Sequence, residues 1–131
     1  MGLFGKAFRK DNGNKEELKK IPWVPLDALE QLQTIKERSQ ERPQLIFKHS
    51  KTCGISGMVL NRFTQYYEIP LGDADLYFLD LLANRNISDA VASQFGVVHQ
   101  SPQLLIIKEG ETLLHASHGA ISDIDLSKAQ W

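Results

Sequence analysis

The sequence predicts an α/β domain: a mixed central sheet with helices on both faces and a C-terminal antiparallel hairpin. Three observations predict it. Apolar, strand-like runs alternate with stretches of helical periodicity from residue 21 onward. The last two runs are separated only by Glu109-Gly110-Glu111, a tight-turn signature. The chain has 131 residues, enough for one domain of ordinary size and too few for two.

Ile21-Pro-Trp-Val-Pro-Leu26 opens the domain as an extended piece, because each Pro forces extended geometry on the residue before it. A helix is expected over 27–39, with Leu29, Leu32 and Ile35 on one side and Asp27 and Glu30 in its first turn. Glu41-Arg-Pro43 ends it, and Gln44-Leu-Ile-Phe-Lys-His49 reads as a buried strand. A short loop over 50–53 leads to a helix over 54–68, where Ile55, Met58, Val59, Phe63 and Tyr66 recur at helical spacing. Phe63, Tyr66 and Tyr67 are expected in the core. Asp75-Leu-Tyr-Phe-Leu-Asp80 is the next strand. A helix over 86–95 follows, capped by Asn86 or Ser88 and stopped by Gly96. Strands over 103–108 and 112–117 form the hairpin, and a last helix is expected over 122–128 with Ser122 as its cap. Strands joined through helices call for parallel crossovers, and the hairpin calls for an antiparallel edge.

Residues 1–20 differ from the rest, holding six Lys or Arg against three acidic residues, with three Gly and two Asn. They read as a mobile basic tail with a short helix near 14–20, ahead of a domain over 21–131. Leu3, Phe4 and Phe8 lie beside the basic residues, yet membrane-surface binding normally needs a longer amphipathic run or a lipid. Lys6 and Arg9 interrupt any secretory signal, and Lys6 stands where a myristoylation motif at Gly2 wants Ser or Thr. The longest apolar run in a strand is Leu104-Leu-Ile-Ile107, far short of a membrane span. A cytoplasmic protein is therefore expected. The formal net charge of −1 argues against a nucleic-acid partner.

A single cysteine excludes an intramolecular disulfide and a cysteine-rich metal site. Cys53 falls where strand 44–49 gives way to helix 54–68, in Lys51-Thr-Cys-Gly-Ile-Ser56. Free amides of the first turn and the positive end of the helix dipole favour thiolate there, and Lys51 adds positive charge. Such surroundings bring a cysteine from about 8.5 to roughly 3.5–7.5, which suits thiol–disulfide exchange. The competing reading is an inert core cysteine; the Ser/Lys/Thr/Gly loop around Cys53 argues against it. His49 and His99 each lie at an element end near this point and are candidates to tune the thiol. His115 and His118 are expected to point to opposite faces of a strand, so they do not pair on a metal.

A strand, a cysteine at a helix start and a Pro before a hairpin together resemble the thioredoxin fold. The stretch from Phe95 to Thr112 is similar to the thioredoxin segment in which a cis-proline opens the strand and hairpin; Pro102 matches that proline, with Ser101 before it. Ser56 stands where a dithiol enzyme has its second cysteine. With Trp23-x-Pro25-Leu26 and Thr52-Cys-Gly-Ile-Ser56, residues 21–128 resemble the monothiol bacilliredoxins, the YtxJ-type proteins of the bacillithiol system. Members more often read Thr-Cys-Pro-Ile-Ser, so Gly54 is a departure that restores an amide donor beside the sulfur.

The resemblance implies a thiol–disulfide oxidoreductase in which Cys53 removes bacillithiol from oxidised protein cysteines. It implies no tightly bound cofactor or metal, with the low-molecular-weight thiol as co-substrate. Lys51, Thr52, Gly54, Ile55 and Ser56 would surround the bound disulfide, and Ser101 and Pro102 would face it. Two other readings stand beside this one. Cys-Gly-Ile-Ser is also similar to the Cys-Gly-Phe-Ser of monothiol glutaredoxins, which hold an iron–sulfur cluster between subunits. A non-catalytic thioredoxin-fold stress or interaction module is the other.

Overall fold

The computed structural model describes residues 21–67 and 73–124. The basic tail, the helix near 14–20, the expected helix end at residue 68 and residues 125–128 of the last expected helix lie outside them. Five strands form one mixed sheet in the order β1-β3-β2-β4-β5: β1 (Val24–Pro25), β2 (Gln44–His49), β3 (Asp75–Asp80), β4 (Gln103–Lys108) and β5 (Glu111–Ser117). The helices are α1 (Glu30–Arg38), α2 (Gly54–Tyr66) and α3 (Arg85–Phe95), followed by a 3₁₀ turn at His118–Asp123.

Period-two alternation divides the core between the two faces of the sheet. Ile46, Leu79, Leu105 and Ile107 pack with Leu32 and Ile35 of α1 and with Ile87, Val91 and Phe95 of α3. Leu45, Phe47, Leu76, Leu104 and Ile106 face the other way, against Val59 and Phe63 of α2 and Ile121 of the 3₁₀ turn. Trp23, Phe47 and Phe63 meet there in edge and tilted ring contacts with centroids 5.6–6.1 Å apart. Helices on both faces of a mixed sheet are what the sequence predicts. The hairpin turn also forms as expected: Glu109 and Gly110 both take positive φ, 55° and 79°, the twist that matches two antiparallel strands.

Four expectations change. First, α1 begins at Glu30 instead of residue 27, because Gln31 reaches back over the preceding turn. Its Oε1 accepts from the amides of Asp27 and Ala28 at 2.8 and 2.9 Å, and its Nε2 donates to the Pro25 carbonyl at 2.9 Å. Second, α3 starts at Arg85 with Asn84 as its cap residue, so Ser88 is a buried position inside the helix and caps nothing. Gly96 does stop it, at φ 67°. Third, the last helix expected from Ser122 is a 3₁₀ turn starting at His118, which leaves the strand with φ 56°. Fourth, the crossover through α3 is not parallel. β2 and β3 run parallel, but β4 runs antiparallel to β2. After α3 descends the sheet, residues 96–102 climb back extended to the end where β3 finished, so β4 enters from the opposite end.

Candidate active site

β2 ends at His49, and α2 begins after four intervening residues, so its N-terminus lies at the C-terminal end of the parallel strands. Cys53 is the cap residue, extended at φ −103° and ψ 116°. Its N–H donates to the Ser50 carbonyl at 3.2 Å, and its own carbonyl accepts the first helical bond, from Gly57 at 3.3 Å. The thiol makes no capping hydrogen bond and is half-buried. The amides of Gly54, Ile55 and Ser56 belong to the first turn, which has no intrahelical acceptors, and the helix dipole adds positive potential there. A Cβ at Gly54 would meet nothing within 4 Å. Space therefore does not require glycine at this position; what it contributes is an amide donor that proline lacks.

Beneath the cysteine, a short clamp ties strand, loop and helix together. Ser56 is fully buried. Its Oγ accepts from the Ser50 amide at 3.2 Å and lies 2.7 Å from Nδ1 of His49. Burial pushes the His49 imidazole below its ordinary value of 6.5; the Asp80 carboxylate opposes this shift and Lys51 adds to it. The neutral ring and the Ser56 hydroxyl share one hydrogen bond, whose direction follows the imidazole tautomer. Ser56 thus occupies the place of a second cysteine, but its hydroxyl is tied to His49 and to the Ser50 amide, and its side chain is closed to solvent. Replacing Ser56 with Ala removes the acceptor of the Ser50 amide and the hydrogen-bond partner of His49 Nδ1. The expected cost is about 1–2 kcal/mol, read as a lower urea midpoint with an unchanged m-value.

The other expected site residues distribute as follows. Lys51 is exposed and pairs with Asp80 at 3.5 Å, so its charge is shared with a carboxylate. Thr52 is exposed, its Oγ1 3.1 Å from the Ser50 hydroxyl. Ile55 is exposed, and so are Met58 one turn later and Tyr66 at the helix end. Of the apolar series expected in the core from α2, only Val59 and Phe63 are buried. Periodicity alone missed this distinction, because the buried arc of α2 is centred on Ser56, Val59 and Phe63, which leaves Ile55, Met58 and Tyr66 outside it. The Lys48↔Gln103 register brings the adjoining residues, His49 and Pro102, to this same end. Pro102 is buried, the Ser101–Pro102 bond is cis, and the Ser101 hydroxyl is buried with no partner among the described residues. Sequence reasoning also passed over Lys48, a lysine inside an apolar strand run, which is itself the signal that marks it.

A parallel βαβ unit with a lone cysteine at its helix start, closed by a cis-proline strand and hairpin, defines a thioredoxin-fold thiol oxidoreductase. Among solved structures, the chain is similar to a thioredoxin-fold protein proposed to be an oxidoreductase, at 31% identity over 75% of this chain and 84% of that one, with a TM-score of 0.64. It is also similar to thioredoxin of Malassezia sympodialis (Mala s 13; 16% identity, 76% and 81% coverage, TM-score 0.60) and of Trypanosoma brucei brucei (16%, 77% and 82%, 0.58). These last two show the fold alone. Residues 24–126 match the family described as monothiol bacilliredoxin BrxC, and the chain belongs to that family. Among the described residues, no helix is long and apolar enough to cross a membrane.

Proposed function

We propose that the protein removes bacillithiol from protein mixed disulfides by a monothiol mechanism in the cytoplasm. The Cys53 thiolate attacks the bacillithiol sulfur of the mixed disulfide. The old S–S bond breaks, its electron pair leaves with the protein sulfur as thiolate, and a Cys53–bacillithiol disulfide forms. A second low-molecular-weight thiol, as thiolate, then attacks the bacillithiol sulfur and releases Cys53. No tightly bound cofactor enters either step. Lys51, Thr52, Gly54 and Ile55 line the approach to the sulfur, and Ser101 and Pro102 take the other side. Ser56 acts from below, by holding the loop.

The observation that carries this reading is a half-buried thiol at a helix start with a serine clamped to His49 in place of a resolving cysteine. Exposed Ile55, Met58, Leu82 and Val98 at this end of the sheet suit a protein substrate more than a small molecule alone. The test is to offer a bacillithiolated protein and follow intact mass. The expected result is a single bacillithiol adduct on Cys53 with release of the free test protein. A folded wild-type chain that takes up no adduct overturns the reading.

A further inference from the structure

Lys48 is fully buried, among apolar residues on the α1/α3 face of the sheet. Its ammonium lies 3.3 Å from the Ser88 carbonyl and 3.3 Å from Nδ1 of His99, and the Ser88 hydroxyl is 3.1 Å from that same nitrogen. An ammonium and a hydroxyl converging on Nδ1 make it an acceptor, so the ring proton sits on Nε2. Asp89 of α3 and Arg85 of α3 act on Lys48 with opposite signs, and its strand neighbours Leu79 and Gln103 carry no charge. A charge this deep, with no carboxylate at bonding distance among the described residues, is costly to keep, so its partners identify what it is for. His99 belongs to the 96–102 return, two residues before Ser101.

We propose that Lys48 is a positioning residue: through His99 and Ser88 it anchors the loop that presents Ser101 and Pro102 beside the Cys53 thiol. The role in transfer rests on the bacillithiol reading above; the anchoring itself does not. The rest of the loop is held by neutral bonds, from Gln103 Nε2 to the Val98 carbonyl at 3.0 Å and from the His118 amide to the Pro102 carbonyl at 2.9 Å. The Lys48 bond is the charge-assisted one, and it comes from the strand that ends four residues before Cys53. It also responds to acid. Protonation turns Nδ1 from acceptor to donor and sets two cations together. Burial, then Lys48 and Arg85, hold that protonation below the ordinary value of 6.5, with Asp89 opposing. The anchor is therefore intact at neutral pH and released on acidification.

Two readouts test this on Lys48→Met and His99→Leu. The first is amide hydrogen exchange over residues 97–101. The second is the rate of bacillithiol transfer to Cys53 divided by the rate of its alkylation by iodoacetamide, which needs the thiolate but not the loop. Both variants should exchange at least tenfold faster over that segment and lose about tenfold in the transfer ratio. The double variant should be no worse than either single one. The wild-type ratio should fall on acidification, at a pH below the ordinary imidazole value of 6.5, and the variants should lack that acid limb. Wild-type exchange in either folded variant overturns the anchor. Faster exchange with an unchanged transfer ratio overturns its role in catalysis. Absence of transfer in the wild type overturns the bacillithiol reading and leaves exchange to decide the anchor.

Discussion

Cys53→Ser is expected to abolish bacillithiol transfer completely while leaving the fold intact. The chain holds one cysteine, so no other sulfur can take over the attack, and a serine hydroxyl is not a competent nucleophile toward a disulfide at neutral pH. The fold should not notice the change. The thiol makes no capping bond in the present structure, whereas a serine at a cap position accepts from the first-turn amides. That substitution normally stabilises a helix start by about 0.5–1 kcal/mol. The variant should thus melt at or above the wild-type temperature and show no adduct by intact mass. Residual adduct formation in Cys53→Ser would sink the monothiol mechanism.

Lys48→Met should make the protein more stable at pH 7, the reverse of most core substitutions. Burial lowers the Lys48 ammonium from 10.5 to about 8. The folded state therefore binds this proton less well than the unfolded chain. The penalty is complete below about pH 8, where both states are charged, and it shrinks as pH rises from 8 to 10.5 and the folded state stays neutral. A depression of this size corresponds to on the order of 3 kcal/mol. Methionine fits the same slot with similar length, and no buried acceptor is stranded, because the Ser88 carbonyl lies inside a helix that continues to Phe95 and His99 Nδ1 keeps the Ser88 hydroxyl. Urea unfolding at pH 7 and pH 10 should show a gain in Lys48→Met that narrows at the higher pH. A gain that stays constant, or a loss at pH 7, would contradict it. A residue that lowers stability while speeding transfer is one kept for its role in the site, a trade common at functional positions.

The strands were legible because β2, β3 and β4 are apolar runs bounded by breakers, and their limits match those read from the sequence. The position of Cys53 was legible for the same reason, since only four residues between a strand end and a helix start leave few alternatives. The start of α1 was not: Asp27 and Glu30 look like first-turn acids, but the amides they would cap are taken by Gln31, a side chain without a strong capping signature. The direction of β4 was not legible either. A helix between two strands ordinarily signals a parallel crossover, and only the extended climb of residues 96–102 reverses it. Met58 and Tyr66 carry helical spacing without burial because they lie outside the arc of α2 that Ser56, Val59 and Phe63 turn toward the sheet. The Lys48 cluster was hidden by distance along the chain, its partners lying 40 and 51 residues away.

The bond from Gln31 to Pro25 bears on how the sheet ends. Leu26 donates to the Phe78 carbonyl at 2.9 Å, so alternation turns the backbone groups of Pro25 away from β3, toward the open side. Proline has no N–H to offer there, and its carbonyl is taken by Gln31. The outer rim of β1 is left with neither donor nor acceptor at that residue, which closes it to an incoming strand. Among the described residues, the other rim of the sheet is that of β5, where Leu113 and Leu114 are exposed. Among the described residues, one flank is sealed by covalent chemistry and a single amide side chain, and the other keeps its backbone groups available to a neighbouring chain.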